Sequence, residues 1–241
     1  MTDLRSFAAT DPGTRRSHNE DSFVDRPDLG LFAVADGAGG HQAGEVASKA
    51  IRDALEAIPA GLAAGQLLAE TRSRILEVHD ALRDEADRRG PGVVMASTVV
   101  VLLARGNHYA ALWAGDSRIY LLRGASLSLL TSDHSLVQEM VDAGELAADQ
   151  AEAHPQANVI TRAVGAGDGP LGLDKVTGGI APGDRFLLCS DGLSKTLSLS
   201  ELTGLLGTPV GLDPTEMLIS AALARQVSDN VTVVVVEVLG E

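Results

Sequence analysis

The run Leu31-Phe32-Ala33-Val34-Ala35-Asp36-Gly37 decides the fold. It is a continuous apolar stretch of strand length bounded by glycines, the pattern of a strand covered on both faces, and it carries an aspartate at its tip. Three further runs share the design. HYAALWAGDSR (108–118) reaches Asp116, DRFLLCSDG (184–192) ends at Asp191-Gly192, and SDNVTVVVVEV (228–238) opens with Asp229-Asn230. The chain runs toward the aspartate in the first three and away from it in the fourth. A last strand antiparallel to the others therefore brings all four carboxylates to one edge. Like-charged carboxylates raise one another's pKa and repel, so such an edge calls for a counter-charge. A divalent metal held by hard oxygen ligands supplies it.

Outward from these runs, residues 5–10 and 22–25 read as short strands flanking the polar turn DPGTRRSHNED. His41 to Ile58 reads as a helix stopped by Pro59, and 64–88 as a second one. From Ala96 to Leu130 the spacing changes to strands in series at 99–103, 109–113, 119–122 and 126–130, short enough for an antiparallel meander. An amphipathic helix is expected over 134–152, centred on Leu136, Val137, Met140 and Leu146. The Gly-, Pro-, His- and Asn-rich stretch 153–172 reads as an irregular flap, giving a flap segment of about 134–170. Strands return at 173–178 and 184–190, helices at 199–206 and 214–226, and 230–238 closes the chain. In that last strand Val231, Val233 and Val235 face one side and Thr232, Val234 and Val236 the other, both covered. Strict βαβ alternation is absent. The expected class is α+β: a four-layer α-β-β-α sandwich of two mainly antiparallel sheets flanked by helices.

The 241 residues contain no linker or low-complexity stretch, so one domain over 1–241 is expected. Hydrophobic residues make up 45% but aromatics only 3%, so Ala, Val, Ile and Leu must build the core. The net charge of -14 opposes non-specific binding to nucleic acid or anionic lipid, neither of which is expected as a partner. Cys189 is the single cysteine; it lies in an apolar run and reads as a buried structural thiol. MTDLRSFAAT lacks the pattern of a signal peptide, and Val93–Ala104 is too short to span a bilayer, so a cytoplasmic protein is expected.

Arg16 precedes Asp21 by five residues in RSHNED. Its planar guanidinium suits a phosphate clamp beside a metal site, although an arginine in a turn is ordinarily only exposed. Asp36-Gly37-Ala38-Gly39-Gly40 lacks the endings of a P-loop and of a dinucleotide fingerprint. Glycine there permits close approach of a ligand. A lone Asp-Gly is usually a turn, but its recurrence at Asp191-Gly192, with Asp116 and Asp229, is not explained by turns.

RSHNED, VADGAGGH, WAGDSRIY, LLCSDG and SDNVTVVVV, in this order and spacing, resemble the metal-dependent protein phosphatases, the type 2C protein serine/threonine phosphatases of the bacterial stand-alone type. The resemblance covers about Arg5 to Val238. It implies an α-β-β-α sandwich and two Mn2+ or Mg2+ ions at one edge. Asp36 would bridge the pair, the Gly37 carbonyl would bind one ion, and Asp191 and Asp229 the other. Asp116 would help hold a third ion together with Asp191. Asp21 would orient the attacking water, Arg16 would bind the substrate phosphate, and Asn230 would brace Asp229. The implied reaction is one-step hydrolysis of phosphoserine and phosphothreonine on proteins, opposing a Ser/Thr kinase and acting on its substrates as a monomer. Ala38 stands where several eukaryotic relatives carry a histidine proposed as the acid. His41 is expected to pack near the first helix instead, and His18, His134 and His154 are not expected to bind metal. A non-catalytic, phosphoprotein-binding or scaffold member would tend to lose a metal aspartate, and all are present. Arg16 argues against the branch acting on anti-sigma-factor antagonists, and no DxDxDG loop supports a calcium module.

Overall fold

The computed structural model describes residues 3–39, 42–209 and 212–240. Two antiparallel sheets form its centre. One has the order β1 (Asp3–Asp11), β11 (Val231–Leu239), β10 (Arg185–Cys189), β7 (Arg118–Arg123), β8 (Ser126–Leu129). The other has the order β2 (Asp21–Arg26), β3 (Leu31–Ala38), β5 (Val99–Arg105), β6 (His108–Ala114), β9 (Asp174–Gly179), with the short β4 (Ala96–Ser97) pairing the tip of β3.

Three apolar layers hold the stack together, and the alternation within single strands generates them. Leu31, Ala33 and Ala35 of β3 face the outer layer under helices α1 (Ala43–Glu56) and α2 (Ala64–Arg89), where Ile51, Leu55, Leu67 and Ile75 meet them. Phe32 and Val34 point the other way, into the layer between the sheets, opposite Leu188, Val234 and Val236. The closing strand divides in the same manner: Val231, Val233 and Val235 pack under α4 (Asp191–Ser194), α5 (Leu199–Leu206) and α6 (Thr215–Ala224). Both faces of β3 and of β11 are therefore covered, as their uninterrupted apolar runs require. Full burial of one such valine or leucine is worth about 1.5–3 kcal/mol. An edge-to-face contact of Tyr109 on Phe186, centroids 5.1 Å apart, joins the two sheets where aromatics are otherwise scarce.

Two expectations need correction. Residues 99–130 are not one meander: β5 and β6 pair, but at Gly115-Asp116-Ser117 the chain leaves the β2–β9 sheet, and β7 pairs with β10 and β8 in the other. Short spacing signals antiparallel neighbours but does not say that they share a sheet. Nor is 134–152 one helix. Helix α3 covers only Leu136–Asp142; Gly144 takes the left-handed φ of 73°, and the N–H groups of Glu145 and Leu146 turn back to the Met140 carbonyl. Leu146 thus leaves the apolar stripe on which the longer helix rested. Only a 3-10 turn, Ala148–Gln150, follows before the irregular part of the flap. Among the described residues no helix is long and apolar enough to cross a membrane.

Candidate metal centre

The strand tips converge as their directions require. β3 and β6 both lie antiparallel to β5, and β10 lies antiparallel to β11, so the ends of β3, β6 and β10 and the start of β11 reach one edge. Asp36, Asp191 and Asp229 line a single cavity of about 470 Å³, together with Gly37 and Arg16. Asp21, first residue of β2, is the direct cross-strand partner of Asp36. Asp116 lies at the passage between the sheets, 3% exposed, and is connected to Asp191 through the Lys195 ammonium.

The protein's own backbone requires the glycine of both Asp-Gly pairs. A Cβ on Gly37 would lie 2.2 Å from the Gly44 carbonyl oxygen of α1, and one on Gly192 would lie 2.0 Å from the Asn230 carbonyl oxygen. These contacts draw α1 and β11 tight against the strand ends that carry Asp36 and Asp191, which fixes the spacing of the carboxylates.

Crowding and burial perturb the acids. Burial, then the charges of Asp21, Asp191, Asp116 and Asp229, push the Asp36 pKa well above the usual carboxylate range. Asp21 is raised to about 7, chiefly by burial; hydrogen bonds from Thr232 and Ser190 offset this in part, the Ser190 hydroxyl donating at 2.8 Å. Burial and neighbouring Asp191 lift Asp116 to about 6 against the pull of Lys195. The hydrogen bonds of Asp36 among the described residues run through its backbone: its N–H donates to Thr98 Oγ1 at 3.1 Å, and its carbonyl accepts from Ser97 Oγ at 2.9 Å. Its carboxylate is left to another ligand. Asp116 Oδ1 is buried with no hydrogen-bond partner among the described residues. A desolvated carboxylate such as that of Asp36, with no hydrogen bond to its side chain among the described residues, is what a hard divalent cation neutralises, so the core donor set fits such ions.

The chain's own cations meanwhile pair with two of the expected ligands. Arg16 Nη2 donates to Asp229 Oδ2 at 2.9 Å, and Lys195 Nζ to Asp191 Oδ2 at 2.6 Å. Among the described residues no three His, Cys, Asp or Glu side chains close around one point. Asp36, Gly37, Asp191 and Asp229 face the same cavity without being drawn together, and Asp116 is not part of its lining.

Asn230 braces Asp229 as expected, but through its main chain. Its backbone N–H donates to Asp229 Oδ1 at 2.9 Å, while its side chain secures the N-terminal turn: Oδ1 accepts from the Glu20 N–H, and Nδ2 donates to the carbonyls of Pro12 and His18. His134 is a buried structural residue. It stacks on Trp113, its Nδ1 accepts from the Gly115 N–H, and its Nε2 lies 3.1 Å from Asp174 Oδ2. His18 is exposed on the turn, and His154 Nδ1 accepts from the Gln156 N–H. His41 lies outside the described residues. Cys189 is fully buried, and burial pushes its thiol up to about 12, as suits an inert core residue.

Sequence reading missed Lys195, Asn158 and Ser190. Lys195 carried a signal, since it stands four residues after Asp191 at the start of a helical turn, the spacing at which side chains meet. Asn158, in the flap and far away in sequence, offered none.

The family model for protein phosphatase 2C matches residues 14–208. PppA of Pseudomonas aeruginosa, a key regulatory component of T6SS, superposes with a TM-score of 0.89 at 43% identity over 97% of both chains. The catalytic domain of the serine/threonine protein phosphatase PstP, solved with two manganese ions, superposes with a TM-score of 0.83 at 35% identity over 98% of this chain and 99% of that one. In sequence, PstP of Mycobacterium tuberculosis is 36% identical over 98% of this chain, which spans 45% of that protein's length. Five motifs in register, an α-β-β-α stack and a shared acid-lined cavity agree with these matches, and the chain belongs to the protein phosphatase 2C family.

Proposed function

We propose that this chain is a metal-dependent phosphatase that hydrolyses phosphoserine and phosphothreonine on proteins. The observation that carries the reading is the single cavity shared by Asp36, Asp191, Asp229 and Arg16 in a chain of this family. Asp36, the Gly37 carbonyl, Asp191 and Asp229 would hold two Mn2+ or Mg2+ ions. When bound, such ions polarise a phosphoryl oxygen and make water acidic enough to attack at neutral pH.

The chain's own residues supply the rest. Arg16, exposed on its turn and facing the cavity, exchanges its bond to Asp229 for the substrate's phosphoryl oxygens; its fork offsets charge that spreads over them during transfer. Asp21, fixed by the Ser190 hydroxyl, orients the attacking water. Water oxygen bonds to phosphorus as the phosphorus–oxygen bond to the serine or threonine breaks, and the leaving oxygen takes up the proton that the attacking water gives up. Cys189, sealed in the core, offers no covalent route.

The substrates in this reading are products of a Ser/Thr kinase, met in the cytoplasm by a monomer whose residues 1–241 form one catalytic domain. A non-catalytic scaffold would have no need to keep Asp36, Asp191 and Asp229 facing the same cavity.

Purified protein is expected to release phosphate from a phosphothreonine peptide and from p-nitrophenyl phosphate when Mn2+ is added, and to stop when EDTA removes it. Inactivity at saturating Mn2+ refutes the proposal. Arg16→Ala is expected to raise KM for the peptide about tenfold or more with a smaller change in kcat, as loss of charge-assisted hydrogen bonds worth about 1.5–3 kcal/mol requires. An unchanged KM removes Arg16 from the phosphate site.

A further inference from the structure

We propose that Lys195 is a tethered counter-cation that takes the place of a divalent ion between Asp116 and Asp191, so that this protein works with two bound metals and excludes a third. The inference rests on the metal reading of the core site given above. It is carried by geometry across α4, from Asp191 at its start to Lys195 just past its end.

The Lys195 ammonium lies 2.6 Å from Asp191 Oδ2, 3.2 Å from Asp116 Oδ2 and 2.9 Å from Asn158 Oδ1. Its three donors thus meet three oxygens from three parts of the chain: the helical turn after β10, the passage between the sheets, and the flap. Asp191 and Lys195 stand one helical turn apart, with the Lys195 N–H donating to the Asp191 carbonyl at 2.8 Å, so the backbone itself sets the ammonium over the two carboxylates. Asp116 is almost wholly buried, and a carboxylate so placed needs a positive neighbour. Lys195 is the cation that meets it.

A divalent ion taking up the same Asp116 and Asp191 oxygens would lie within a few ångströms of Lys195 Nζ, where two cations repel strongly in a site shielded from water. Asp191 Oδ2 is committed to the lysine. The lysine also does what a dissociable ion would do only while bound: it connects the flap, through Asn158, to the edge that carries the acids.

The test uses anomalous diffraction from crystals of the full chain soaked in Mn2+. In the wild-type protein the core is expected to show two manganese peaks, with none between Asp116 and Asp191. Lys195→Met keeps the aliphatic stem and removes the charge; a third peak is expected to appear beside Asp116 in this variant and to vanish again in Lys195→Met combined with Asp116→Asn. A third peak in the wild-type protein, with the lysine turned away, overturns the proposal. So does a folded Lys195→Met protein that shows only the core pair. Should Lys195→Met fail to fold, the wild-type crystal decides alone, because a manganese peak at Asp116 is incompatible with the ammonium seen there. Absence of core manganese from the wild-type protein is a different failure and refutes the metal reading itself.

Discussion

Asp36→Asn is expected to lower kcat/KM for a phosphothreonine peptide by about 10³-fold or more, equivalent to roughly 4 kcal/mol of transition-state stabilisation. Asp36 lies among like charges, its pKa raised by burial and then by Asp21, Asp191, Asp116 and Asp229. It is also the acid whose described hydrogen bonds leave its side chain free. An amide of the same shape keeps the backbone bonds to Ser97 and Thr98 that anchor the end of β3, so the fold should persist while the negative charge that attracts both cations is lost. Steady-state rates over a Mn2+ titration, with circular dichroism as the control for folding, decide the matter. A variant with full activity at ordinary Mn2+ would contradict the assignment of Asp36 as the bridging ligand.

The second large effect is on stability, and its sign follows from the perturbed carboxyls. In the unfolded chain an aspartate titrates near 3.9. In the folded, metal-free protein Asp21 is raised to about 7 and Asp116 to about 6, with Asp36 also well above the usual range. The folded state therefore binds protons more tightly than the unfolded one. The resulting stabilisation is complete below about pH 4 and is lost as pH rises through 6 to 7. Because the acids titrate as a group, the net change is a few kcal/mol rather than the sum of three separate shifts. At about 2–4 °C per kcal/mol for a chain of this size, Tm in EDTA is expected to fall by about 5–10 °C between pH 5 and pH 8. His134, whose pKa burial lowers, works in the opposite sense below about pH 6.5, so the observed slope is a lower bound on the effect of the acids. Saturating Mn2+ should abolish the fall by supplying the missing positive charge, and Asp21→Asn should reduce it without metal. A level or rising Tm across this range in EDTA refutes the account.

Much of this was legible in the chain, for identifiable reasons. LFAVADG and VTVVVVEV are apolar on alternate and intervening positions alike, which only a strand covered on both faces tolerates, and the layered stack follows from having two of them. The meeting of Asp36, Asp191 and Asp229 was readable because strand direction and tip position determine it. The passage at Gly115-Asp116-Ser117 was not, since a hairpin and a change of sheet use the same short, glycine-bearing turn. The false continuation of α3 had a similar origin: Leu146 keeps helical spacing with Met140 on paper, while Gly144 has already turned the backbone away. Lys195 was overlooked for a chemical reason. Attention to acids as metal ligands leaves a base among them looking like ordinary surface, although its spacing from Asp191 was visible.

One consequence follows from the way Asn230 is used. Its carboxamide fastens three points of the segment that carries Arg16, while its main chain closes over Gly192 and steadies Asp229. Under the proposed function, grip on the substrate and custody of the ions would thus be hinged on a single residue. Evolution could loosen that hinge to broaden the choice of target proteins while leaving the acid cradle intact.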